Sequence, residues 1–148
     1  MNQQQTRTVE TLNRLFAAER RSLLPRLAEA EAFFSWASAA DVALLQRMIA
    51  EERDHLAWLA EALDRCCGAL YPAGADVHTG HLHYLDLHAM LPQVIRGLES
   101  LVAVYLEAGK QPLIPPAAEV VNRILQNHQK HLAELRKLQA RASTAPVG

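Results

Sequence analysis

The sequence predicts an all-α protein, a single four-helix bundle with a long crossover between its second and third helices. Three observations carry that prediction. Half of the residues are hydrophobic but only 5% are aromatic, and the apolar content is mostly Leu and Ala, which favours helix over strand. Four long segments repeat their apolar residues with the helical period. Of the three breaks between them, two are short turns and the middle one is long.

The first segment runs from about Thr6 to Phe34, with Val9, Leu12, Phe16 and Leu23 on one stripe. Pro25 should kink or restart it, because proline supplies no N–H to the helical ladder. Ser35-Trp36-Ala37-Ser38 reads as a turn, and Ser38 with Asp41 forms a capping signature for the next helix. The second segment runs to about Cys67 on Val42, Leu45, Met48, Ile49, Leu56, Leu59 and Leu63, and Gly68 is its natural stop. Periodicity is then lost through a Gly-, Pro- and His-rich stretch to about Tyr84.

The third segment spans about Asp86 to Ala108, with Leu91, Ile95, Leu98, Val102 and Leu106 as its expected stripe. Gly109 to Pro115 is a turn, and Pro116 suits a first helical residue. The fourth segment continues to about Arg141 on Val121, Ile124, Leu125, Leu132, Leu135 and Leu138. Residues 6–141 therefore form one domain, and 142–148 are expected to be a disordered tail.

Fifteen basic and sixteen acidic residues leave a net charge of −1. With no basic block, neither nucleic acid nor an anionic membrane is an expected partner. No apolar run approaches the ~18 residues of a membrane span. The polar Met1–Gln5 stretch lacks the apolar core of a signal peptide, so a cytoplasmic protein is expected. Cys66 and Cys67 are adjacent, which suits two reduced thiols packed in or near the core better than a disulfide.

Polar residues interrupt the apolar stripes at six places. Glu19 lies three after Phe16 and four before Leu23, and Glu52 lies three after Ile49 and four before Leu56. His55 precedes Leu59 by four, Glu99 follows Ile95 by four, His128 follows Ile124 by four, and His131 precedes Leu135 by four. Each occupies a position where leucine is the ordinary choice. Buried carboxylates are found paired or bound to metal.

These six should meet. Antiparallel helices joined by a turn bring together residues equidistant from it. The midpoint between Glu19 and Glu52–His55 falls at 35 to 37, inside one expected turn, and that between Glu99 and His128–His131 falls at 113 to 115, inside the other. The middle connection of about 17 to 19 residues can extend over ~50 Å, whereas the bundle needs only ~35 Å. A crossover of that length makes helices two and three parallel and brings all six residues to one layer.

One Glu on the first helix of each pair and Glu-x-x-His on the second is the di-iron pattern that the sequence resembles. On Glu19, Glu52-Arg53-Asp54-His55 and Glu99 the chain is similar to the ferritin-like di-iron carboxylate bundles over about residues 6 to 141. It departs from them at His128-Gln129-Lys130-His131, where those proteins carry a second Glu-x-x-His. The resemblance implies two transition-metal ions, iron first with zinc or manganese as alternatives. Glu52 would bridge, Glu19 and Glu99 would be terminal carboxylates, and His55, His128 and His131 would supply nitrogen. It also implies an oxidoreductase that consumes oxygen or peroxide, and a homodimer, for which Phe33, Phe34 and Trp36 offer aromatic surface.

The plainer readings stand beside these. A lone Glu on an apolar face is usually a helix-end residue, a lone core His is usually hydrogen-bonded, and Glu-x-x-His alone is common by chance. A non-catalytic, metal-sequestering or structural polar layer is therefore the alternative. Tyr105 is either a core tyrosine or a hydrogen-bond or redox partner of the site. Trp36 and Trp58 read as packing. Glu51 and Glu134 belong to the solvated face, with Glu134 in reserve as a ligand. His78, His81, His83 and His88 suit solvated loop or capping positions, or else a second surface metal site. Hemerythrin-type ligation needs i, i+4 pairs that this chain lacks, and Arg53 stands where bacterioferritins carry a haem-ligating Met.

Overall fold

Asn2 starts the first helix: its side chain accepts the backbone N–H of Gln5 at 2.7 Å. The computed structural model describes residues 2–22, 38–70 and 87–144. Among them are four helices, α1 (Gln3–Arg20), α2 (Ala39–Arg65), α3 (Leu87–Ala108) and α4 (Pro115–Thr144), and no strand. The Asn2 cap sets α1 off three residues earlier than apolar periodicity alone suggests. The stretch around Pro25, and the turn expected at 35–37, lie outside the described residues. Ser38 caps α2 as expected, its hydroxyl accepting the Asp41 N–H at 3.1 Å.

Three hydrogen bonds and one short turn set the helix directions. Gln5 Nε2 donates to the Cys66 carbonyl at 2.9 Å, and the Ile114 N–H donates to the Thr8 hydroxyl at 3.1 Å. The start of α1, the end of α2 and the start of α4 therefore share one end of the bundle. At the opposite end Arg141 donates to Asp41 at 3.1 Å, joining the last turn of α4 to the first of α2. Helix α3 runs into α4 through the short turn at 109–114, so it finishes at the first end and begins at the second. Helices α2 and α3 are parallel, so the end of α2 and the start of α3 lie at opposite ends of the bundle. Most of the crossover expected between them, residues 71–86, lies outside the described residues, as do His78, His81, His83 and the side chain of His88.

α1 packs on α2 and α3, and α4 packs on α3 and α2, leaving α1/α4 and α2/α3 as the diagonals. The core between them is aliphatic, with Leu12, Leu45, Met48, Leu59, Ile124 and Leu135 fully buried. On α3 the buried stripe is Leu91, Val94, Ile95, Leu98, Leu101, Tyr105 and Ala108. The stripe expected from the sequence drifts off it: Val102 is only partly buried and Leu106 is exposed. Helix α4 continues to Thr144, three residues past its expected end, because Ala142 continues the helix readily and no proline or glycine intervenes.

The end of α2 assigns its two special residues differently from the sequence pattern. The Gly68 N–H donates to Leu63 O at 2.8 Å and the Cys67 N–H donates to Asp64 O at 3.0 Å, a Schellman motif. Its left-handed residue is Cys67, with φ of 57°, and not the glycine. Gly68 is required by proximity instead, since a Cβ there would stand 2.7 Å from Val9 Cγ2. Both cysteines are free, Cys66 buried and Cys67 exposed, and burial pushes the Cys66 thiol up.

Candidate metal centre

The helical period places Glu19 on the inner face of α1, Glu52 and His55 one turn apart on α2, and His128 and His131 one turn apart on α4. All five are buried in the structure. Glu19, Glu52, His55 and His128 form one cluster, in which a ligand atom from each residue lies within 4.8 Å of those from the other three. The His128 ring sits between the two carboxylates. Its Nε2 is 2.6 Å from Glu19 Oε1, and its Nδ1 is 2.9 Å from Glu52 Oε2, though not aligned as a hydrogen bond. His55 Nδ1 stands 3.5 Å from both Glu19 Oε1 and Glu52 Oε2.

A ring of supports surrounds the cluster. His55 Nε2 lies 2.5 Å from Asn127 Oδ1. An amide oxygen only accepts, so Nε2 carries the proton and Nδ1 turns its lone pair toward the carboxylates. His131 bridges two carboxylates, with Nδ1 2.8 Å from Glu52 Oε2 and Nε2 2.5 Å from Glu51 Oε2. Tyr105 donates its phenol hydrogen to Glu19 Oε1 at 2.7 Å. Long side chains on a helix lean toward its N-terminus, so Tyr105 reaches a level about one turn before its own Cα. Trp58 lies against His55, ring centroids 5.2 Å apart, and the Arg123 guanidinium covers its ring at 3.7 Å.

Glu99 does not join them. Its side chain is 47% exposed and lies 3.6 Å from Arg136, beside an open groove on the outside of the α3–α4 pair. It follows buried Leu98 by one residue, about 100° round the helix, so the buried stripe of α3 passes beside it and leaves it outside. Glu134, the reserve ligand, pairs with Arg47 and also stays out of the cluster. Glu51, expected on the solvated face, instead meets His131, and Asn127, which no sequence pattern singles out, meets His55, although the spacing rule reaches both: Asn127 is three after Ile124, and Glu51 is three after Met48.

The electrostatics follow from this packing. Burial works to raise the Glu19 carboxyl, but hydrogen bonds and charge from His128 and His55 outweigh it and bring it down to about 2. Burial works to lower His128, but Glu19 and Glu52 raise it to about 9. Glu52 is also held below the ordinary carboxylate range: burial opposes, and His128 and His131 prevail. The Tyr105 phenol is pushed well above its ordinary value by burial and then by the Glu19 charge. Without metal, the Glu19 and Glu52 carboxylates flank the His128 imidazolium.

That arrangement leaves polar atoms stranded. Glu19 Oε2, Glu52 Oε1, His55 Nδ1 and His128 Nδ1 are buried with no hydrogen-bond partner, one from each residue of the cluster. Each such atom costs about 1–3 kcal/mol. Two carboxylates and two imidazoles form a donor set that suits a divalent transition metal, and a bound ion would give stranded atoms of this kind a partner. The residues fit a metal.

A solved structure described as a ferritin like, diiron-carboxylate protein, from Bacillus anthracis str. Ames, superposes with a TM-score of 0.70. The match covers 94% of this chain and 99% of that one, at 17% sequence identity. The fold is ferritin-like. No family profile and no curated protein matches the sequence. At that identity the ferritin-like bundle is common ground in architecture, and the chemistry must be argued from this chain's own side chains. No described helix of the bundle is long and apolar enough to cross a membrane.

Proposed function

We propose that this ferritin-like bundle is a transition-metal protein that holds metal on Glu19, Glu52, His55 and His128. Iron is the first choice, with zinc and manganese as alternatives. One observation carries the reading: a ligand atom from each of the four residues converges within 4.8 Å in the core, and each of these residues also has a buried polar atom without a hydrogen-bond partner. Iron bound there would supply the electrons for reduction of oxygen or peroxide. The protein's part is to hold the ligands, with Asn127 fixing the His55 tautomer and Tyr105 and His131 fixing the two carboxylates. How many ions the layer takes is a separate matter, and it turns on Glu99 and His131.

The test is metal analysis of protein purified without added metal, then anaerobic loading with Fe(II) and exposure to oxygen or peroxide. Bound metal and oxidation of the iron faster than in buffer are the expected results. Protein that retains less than half an equivalent of any divalent metal would defeat the reading. A second reading, a structural layer without turnover, is favoured by the His128 imidazolium, which already neutralises one carboxylate. It predicts metal binding without accelerated oxidation, or no binding at all.

We further propose a homodimer. Exposed Leu106 and Val104 on α3, beside the open α3–α4 groove, support it. The aromatic residues Phe33, Phe34 and Trp36, which suggested pairing from the sequence, lie outside the described residues. Sedimentation at micromolar concentration should give twice the chain mass, and a monomer would refute pairing.

A further inference from the structure

Resting on the metal-binding reading, we infer that this centre is built for one ion rather than two. Donor atoms on a single transition-metal ion stand ~2.0–2.2 Å from it, and so no more than ~4.4 Å from one another. The ligand atoms of Glu19, Glu52, His55 and His128 already lie within 4.8 Å of one another, so shifts of less than about 1 Å bring all four onto one ion. A pair of ions ~3.5–4 Å apart needs donors spread over a longer span, with at least two serving the second ion alone.

The residues that would serve a second ion are committed elsewhere. Glu99 is on the outer surface of α3 with Arg136. The inner stripe of α3 carries Leu98, Leu101 and Tyr105, so no carboxylate of that helix is on the buried face. Tyr105 takes up that helix's share of the layer by donating to Glu19 at 2.7 Å. His131 has both nitrogens occupied, one at Glu52 and the other at Glu51. Its role is to position Glu52 through a carboxylate–histidine–carboxylate chain, a supporting arrangement common behind metal ligands.

Charge agrees. Two carboxylates balance one divalent ion, whereas two such ions would leave a net charge of about +2 in the core, with buried charge costing several kcal/mol per ion.

The deciding experiment is anaerobic titration of the full-length apo protein with Co(II), followed by calorimetry and visible absorption, and repeated with Glu99→Gln. One equivalent is expected, with the intense ligand-field bands of low-coordinate cobalt saturating at that point and an unchanged curve for Glu99→Gln. A second tight equivalent in the wild type, or loss of bound cobalt in Glu99→Gln, overturns the one-ion inference while leaving metal binding intact. No binding at all defeats both. Saturation at one equivalent that is independent of Glu99 establishes it.

Discussion

Tyr105 on α3 donates to Glu19 on α1 at 2.7 Å, and both side chains are shut away from solvent. This bond joins the helix that contributes no carboxylate to the first ligand of the layer. A hydrogen bond to a charged acceptor contributes about 1.5–3 kcal/mol. Tyr105→Phe keeps the packing and removes the bond, so chemical denaturation of the apo protein should show a loss of that size. A loss below about 0.5 kcal/mol would mean that the bond is not formed in solution.

The pH dependence of the apo protein has a definite sign. The Glu19 carboxyl falls from 4.5 unfolded to about 2 folded, so its contribution is present above pH 4.5 and lost as pH drops toward 2. His128 rises from 6.5 unfolded to about 9 folded, so its contribution is full below pH 6.5 and lost as pH climbs through 9. Both shifts express one buried ion pair and count once. Thermal melts of apo protein should therefore fall between pH 6.5 and 9. Metal affinity should rise over the same interval, because the ion must displace the His128 proton. Calorimetry in buffers of different ionisation enthalpy should detect about one proton released per ion at pH 7. A pH-independent affinity would contradict this assignment.

Asn127 accepts from His55 and so selects the tautomer that leaves Nδ1 bare. Asn127→Ala abolishes that selection without touching a ligand. Outer partners of this kind typically change metal affinity by about 10–100-fold. Competition against a chromophoric chelator should show a loss in that range, and wild-type affinity would refute the role.

The close of α2 makes two opposite predictions at neighbouring positions. Cys67 holds a left-handed conformation that costs a side-chain-bearing residue roughly 1–2 kcal/mol, so Cys67→Gly should raise the melting temperature. Gly68→Ala should lower it by driving a Cβ into Val9 Cγ2. Equal effects of the two changes would show that the helix ends differently.

The helices and much of the layer were legible in the sequence because burial in a bundle obeys one period. Glu19, Glu52, His55, His128 and His131 stand on interior faces where that period puts them. Glu99 was misplaced because α3 is apolar on more than one face, with Val102, Val104 and Leu106 outside the core. When residues on either side of a position are all hydrophobic, the phase of a stripe is set by packing partners and not by composition. Asn127 and Glu51 escaped for the converse reason. Both are only partly buried at the edge of a stripe, where a polar side chain is the ordinary occupant and signals nothing.

The four donors also have a consequence for chain connectivity. They belong to α1, α2 and α4, and an ion holding them would fasten residue 19 to 52 and residue 55 to 128, closing loops of 33 and 73 residues. Such ties restrict the unfolded chain as well as stabilising the folded one. Helix α3 lies inside the larger loop and holds no donor, so it is the one helix free to loosen while the ion stays in place. Hydrogen exchange should accordingly slow on metal binding in α1, α2 and α4, and leave α3 the fastest to open.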